Sequence, residues 1–132
     1  MVPAERGWGL MALASTTAEN QALNGLDASG SPTNLMGFTS LHTASPGTTG
    51  ANENPGTGGY ARQATTWNAA SGGSKTNSTA LTFSTAGSTA VTHVGSWSAS
   101  TAGTYGIGAA LGSSVTAVSI TVASGAVTYS AS

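Results

Sequence analysis

Few side chains in this 132-residue chain can do chemistry. They are His42 and His93, the acids Glu5, Glu19, Asp27 and Glu53, and the cations Arg6, Arg62 and Lys75; cysteine is absent. Serine is plentiful, but a nucleophilic serine needs a positioned base. No Gly-x-Ser-x-Gly turn stands ahead of a helix. A triad would have to join His42 or His93 to Glu53 or Asp27, and no local spacing favours that. A metal would draw on the same scattered residues, without a His-x-x-x-His pair. The Gly-rich stretch 47–59 lacks the Gly-Lys-Ser/Thr core of a phosphate loop. Without cysteine there is no disulfide framework and no thiolate. The expectation is a protein that is not an enzyme, with no cofactor and no bound metal. His42 and His93 then read as hydrogen-bonded structural histidines.

Glu53 and Arg62 are more informative. Only 5% of residues are charged, against about 25% in ordinary soluble domains. Two rare charges of opposite sign therefore stand close together in sequence, around a polar loop that starts at Pro46-Gly47 and ends at Gly58-Gly59. A bidentate pair would pin a long loop that lacks secondary structure of its own. The alternative is two independent solvated charges.

The same composition limits the partners. Three cations cannot line a phosphate track, so no nucleic acid is expected. No apolar run approaches the roughly 20 residues that span a bilayer, so no membrane insertion is expected. With a net charge of −1, few like charges keep copies apart, and a Ser/Thr/Ala/Gly surface favours close association.

The length fits a single domain. Residues 1–10 read as an arm: Pro3, Gly7 and Gly9 discourage regular structure, and Trp8 wants a partner, in its own domain or on a neighbour. Thr16-Thr17-Ala18-Glu19 fits a capping box, and Asn24-Gly25 supplies a stop, so a short helix is expected near 16–24. From residue 34 onward, short alternating runs are separated by turn signals. Strands are expected at 35–42, 60–67, 80–84, 90–97, 105–111, 115–122 and 126–129, with a turn at 71–74. This pattern predicts an all-β fold, a small antiparallel β-sandwich over residues 11–132, with a jelly-roll variant open. Gly106 and Gly108 alternate within one strand. They permit close backbone approach and, with Trp8, are the interface candidates; sheet curvature is the simpler reading.

The run Leu41-His42-Thr43, then Pro46-Gly47-Thr48-Thr49-Gly50-Ala51-Asn52-Glu53, then Tyr60-Ala61-Arg62 resembles the signature loop of a family of small virion proteins encoded by phages of actinobacteria. A second match is Val91-Thr92-His93-Val94-Gly95, with Trp97 and Gly103-Thr104-Tyr105. The similarity runs from about Ser15 to about Leu111, and at Ser45 the family usually has an aspartate. Members are labelled tail fibre, minor tail or capsid decoration proteins. The resemblance implies a structural loop carried by His42, Pro46, Gly47, Gly50, Asn52, Glu53, Tyr60 and Arg62, and no catalytic residue. It implies a decoration (cement) protein on the outer capsid surface of the virion, with the phage major capsid protein and further copies of itself, as a homotrimer, for partners. A tail-associated module that binds host-surface glycan is the alternative. Exposed Trp67 and Trp97 would favour that alternative, because tryptophan faces stack on sugar rings; burial would remove the support.

Overall fold

A computed structural model describes residues 16–27 and 34–131, with helix side chains described from Asn20 onward. The N-terminal arm with Trp8 lies outside the described residues, as do the side chains of the Thr16–Glu19 capping box. The described residues form one helix, α1 (Thr16–Leu26), and eight strands: β1 (Phe38–His42), β2 (Gln63–Ala64), β3 (Ser74–Thr76), β4 (Leu81–Ser84), β5 (Val91–Trp97), β6 (Tyr105–Val115), β7 (Ser119–Val122) and β8 (Thr128–Ser130). All pairings are antiparallel. One sheet has the order β2-β1-β5-β6, and two ribbons pair β3 with β8 and β4 with β7. This is the expected all-β, sandwich-like fold with one short helix.

Alternation explains the core. On β4, Leu81 and Phe83 are buried while Thr82 and Ser84 face water, and on β7 Ile120 and Val122 alternate with exposed neighbours in the same way. These ribbons meet Leu41 of β1 and Val91 and Val94 of β5 in one apolar cluster, joined by Met36, Trp67, Val127 and Tyr129. β1 is unusual in being buried on both faces, from Thr39 through His42. Leu41 points into the apolar cluster, so by the period of two its neighbours Ser40 and His42 face the other way. The second face of the sheet therefore needs its own cover.

Several element boundaries differ from the sequence pattern. The helix runs through Gly25 to Leu26, because its last turn is held by tertiary contacts. Asn24 Oδ1 accepts from Lys75 Nζ at 2.9 Å and from the Ala70 amide at 2.9 Å, and Leu23 is buried. The segment expected as a strand over 60–67 shrinks to Gln63–Ala64. Beyond that pairing, the Leu41 amide donates to the Tyr60 hydroxyl instead of to a backbone carbonyl. The edge of β1 is then completed by residues 52–54, through Thr43 N to Asn52 O and Asn54 N to Leu41 O. The run over 115–122 splits at residues 116–118, where Thr85 binds Ala117 O through its hydroxyl and Val118 O through its amide. β3 has no apolar pattern to announce it. It forms beyond the Gly72-Gly73 turn and places Lys75 against Asp27 of the helix end, at 3.3 Å. Asn77 is fully buried and fastens the last turn through Ala123 O and Val127 N, and also donates to Thr79 O.

Candidate functional site: a clamped loop over the sheet

The loop after β1 is the cover for the second sheet face. It turns at Pro46, whose carbonyl accepts from both Gly50 N and Ala51 N at 3.0 Å. Gly47 and Gly50 sit at positive φ, +59° and +76°, and Asn52 joins them at +61°. Asn52 is a residue type that tolerates this region; its Nδ2 also donates to Ser45 O at 2.9 Å, closing the loop on itself. Gly50 lies directly on the rings of Trp97 and Tyr105, where a Cβ would fall 2.8 Å from Tyr105 Cδ2 and closer still to the indole.

Beneath the loop runs a satisfied polar chain. His42 Nδ1 lies 2.7 Å from Ala51 O, and a carbonyl can only accept, so this nitrogen carries the proton. Nε2 then accepts from the Ser40 hydroxyl at 2.6 Å, and Ser40 in turn accepts from Trp97 Nε1 at 2.9 Å. Gly95, opposite Ser40 across β1 and β5, leaves the space for this contact; a Cβ there would stand 2.6 Å from His42 Nε2. Ser40 and His42 are both 0% exposed, so this serine–histidine contact is sealed from any substrate. His93 pairs across the strands with His42 and binds the neighbouring Thr92 hydroxyl at 2.8 Å. Among the described residues no three His, Asp or Glu side chains converge to hold a metal.

The clamp itself is Glu53 with Arg62. Arg62 Nε meets Glu53 Oε1 at 2.8 Å, and Nη2 meets Oε2 at 2.7 Å, a side-on bidentate pair. Nη1 donates to Ala99 O at 3.0 Å and to Ala102 O at 2.7 Å, which ties in the turn between β5 and β6. The guanidinium lies 3.6 Å above the Trp97 ring, a cation–π contact strengthened by burial. Tyr60 donates to Glu53 Oε1 at 2.9 Å while accepting from Leu41 N, and its ring stacks on Phe83. One carboxylate thus joins the loop, the edge of β1 and the β5–β6 turn.

Of the residues expected at this site, His42, Pro46, Gly50, Asn52, Glu53, Tyr60 and Arg62 all take part. Gly47 supplies the turn, and a Cβ there would meet nothing within 4 Å. Gly106 and Gly108 make room within this chain. Gly106 lies against Leu35, and Gly108 lies beneath Pro46 and the Tyr105 hydroxyl. The close approach they permit is therefore intramolecular. Ser40, Gly95, Trp97 and Tyr105 complete the site without being among the residues expected to carry it. Period-two alternation from His42 is the signal that places Ser40 beside it.

The titrations follow the geometry. Burial holds the His42 imidazole below its ordinary 6.5, against the opposing pull of the Ala51 hydrogen bond. Burial pushes Glu53 up, but the Arg62 and Tyr60 hydrogen bonds and the Arg62 charge together leave it below its ordinary 4.5. Burial also raises Tyr60. Both depressed groups make the unfolded chain bind protons that the folded chain rejects, so acid destabilises. Thermal stability is expected to fall as pH drops below 6.5, where unfolded His42 protonates, and again below 4.5, where the Glu53 contribution is lost. His42→Gln should flatten the first descent in a melting series; a melting temperature that rises between about pH 7 and about pH 5.5 would contradict the assignment.

An all-β chain with this clamped loop falls, by comparison with known families, among the structural proteins of phage virions. The family model described as Podophage GP4 fiber I protein gp80 matches residues 13–130, and the chain belongs to that family. The match includes the C-terminal strands, beyond the Leu111 limit of the resemblance seen in the sequence. No curated protein matches the chain.

Proposed function

We propose that this virion protein is a capsid decoration protein, seated in many copies on the outer shell, where it reinforces contacts between major capsid subunits. The observation that carries the reading is the fate of its charges. Arg62 pairs with Glu53 and Lys75 with Asp27, with the cations 9% and 2% exposed. Every other charged residue lies at or before Glu19, outside the described side chains. The described surface is neutral and rich in small hydroxyl side chains, which suits close packing in a lattice. Trp67 and Trp97 are each only 9% exposed, so neither offers a stacking face to a receptor sugar. The working unit in this reading is a homotrimer at threefold or quasi-threefold positions, since a closed ring limits each patch to one partner. The Leu41-to-Arg62 signature supports an origin among phages of actinobacteria.

The test is copy number. Quantitative mass spectrometry of purified virions is expected to give hundreds of copies in fixed ratio to the shell protein. The family description favours a second reading, a fibre-associated module on the tail. A handful of copies, with density on the tail and none on the shell, would establish that reading and end the first.

A further inference from the structure

Lys75 is buried against an amide side chain, an acid and a backbone carbonyl. Its Nζ lies 2.9 Å from Asn24 Oδ1, 3.3 Å from Asp27 Oδ2 and 2.8 Å from Asn68 O. Asn24 Oδ1 also accepts from the Ala70 amide at 2.9 Å. Both partners of that oxygen are donors, which fixes the side chain with its carbonyl toward the lysine. Cγ is one C=O bond from Oδ1, so Nζ stands about 3–4 Å from that carbon, close to the near-attack range. The fold enforces this approach. Asn20 and Asn24 share one face of α1, and Asn20 Oδ1 holds the Gly73 amide at 2.9 Å, just before β3. Asp27 follows the helix end and is bonded back to Asn24 through its amide. Stability alone is a weak reason for the set, since apolar residues of similar volume often replace a buried ion pair without loss.

We infer that Lys75 and Asn24 join in an intramolecular isopeptide bond, with Asp27 as the acid–base group and the Ala70 amide as the oxyanion donor. An ammonium has no lone pair, so Asp27 first takes one proton from Nζ. The freed amine attacks Asn24 Cγ. The C–N bond forms as the carbonyl pair moves onto Oδ1, where the Ala70 N–H meets the developing charge. Asp27 gives its proton to Asn24 Nδ2, the Cγ–Nδ2 bond breaks, and ammonia leaves past the exposed side of Asn24. The new amide nitrogen returns its surplus proton to Asp27. One ammonia is lost, and no oxidant or second reactant is needed. The bond ties α1 to β3 across 51 positions of sequence, in a chain without cysteine to staple it. The inference holds wherever on the virion the protein sits.

The test is the intact mass of the purified full chain, followed by trypsin digestion after denaturation. The chain is expected to be lighter than its sequence by one ammonia. Trypsin cuts after lysine and arginine, here Arg6, Arg62 and Lys75. An acylated lysine is not cut, so fragments 7–62 and 63–132 should travel as one branched species. Lys75→Arg and Asn24→Ala are expected to keep their full mass and to fall into separate fragments. Asp27→Ala retains both reacting groups and is expected to slow bond formation about 10²-fold, leaving most of the chain unlinked when the unaltered protein is complete. Full mass and separate fragments from the unaltered protein would overturn the inference. So would ammonia loss that persists in Lys75→Arg, which would assign it to ring closure at Asn24-Gly25, or undiminished linkage in Asp27→Ala.

Discussion

Arg62→Ala is expected to lower the stability of the folded chain by about 3 kcal/mol, and to lower assembly with it. Breaking one side of a buried pair leaves the other charge without compensation, at about 3–5 kcal/mol. The lower end applies because the Glu53 side chain keeps 24% of its exposure and some water. The same substitution strips the Ala99 and Ala102 carbonyls of their donor and removes the contact over Trp97. Glu53→Ala should be nearly as damaging, because it leaves a guanidinium buried. The double variant should cost clearly less than the sum, since the two residues act as one unit. Arg62→Lys should recover little, because an ammonium cannot reproduce the fork. Urea unfolding of the four variants reads all of this. Unchanged midpoints for both single alanine variants would show that the pair does not hold the loop.

The second large effect belongs to Gly50. Gly50→Ala is expected to cost about 3 kcal/mol, from two sources. An L-residue in the left-handed region costs roughly 1–2 kcal/mol, and overlap with a packed interior costs roughly 1–3 kcal/mol. Both apply, since Gly50 has φ +76° and stands against Trp97 and Tyr105. Gly47 provides the control. Its φ is +59°, but a Cβ there meets nothing within 4 Å, so Gly47→Ala should cost only about 1 kcal/mol. Calorimetric melting of both variants separates the terms. Equal losses at the two positions would mean that backbone conformation alone matters and that the loop does not press on the rings.

How much of this can be read in the sequence depends on whether a feature is local. The alternation in residues 81–84 marks β4 because period two is written directly into the chain. Glu53 and Arg62 stand out because charges are so scarce. The loop's partners are not legible. Nothing near Arg62 in sequence announces that its Nη1 will find the Ala99 and Ala102 carbonyls, or that its plane will rest on Trp97. Trp97 reads as a core residue on a strand, and only the observed contacts show that its indole meets Ser40 on the face opposite Leu41. Tyr60 reads as the start of a strand, yet its hydroxyl takes the place of a ladder carbonyl. β3 does not announce itself because Lys75 is its buried residue, satisfied by Asn24, Asn68 and Asp27 from elsewhere in the fold.

The inward turn of Arg62, Lys75, Glu53 and Asp27 also has a kinetic meaning. Long-range attraction between proteins comes from net fields, and steering by such fields lifts association far above the neutral rate of about 10⁵–10⁶ M⁻¹s⁻¹. Two internally closed ion pairs present only dipoles to an approaching surface. Encounter through the described faces should therefore proceed at the unsteered rate and stay flat as ionic strength changes, because there is little for salt to screen. Residence on a partner is then set by how slowly the fitted contact comes apart. Copies that meet a partner through these faces would gather slowly, one random collision at a time, and those contacts would hold equally well in fresh water and in brine.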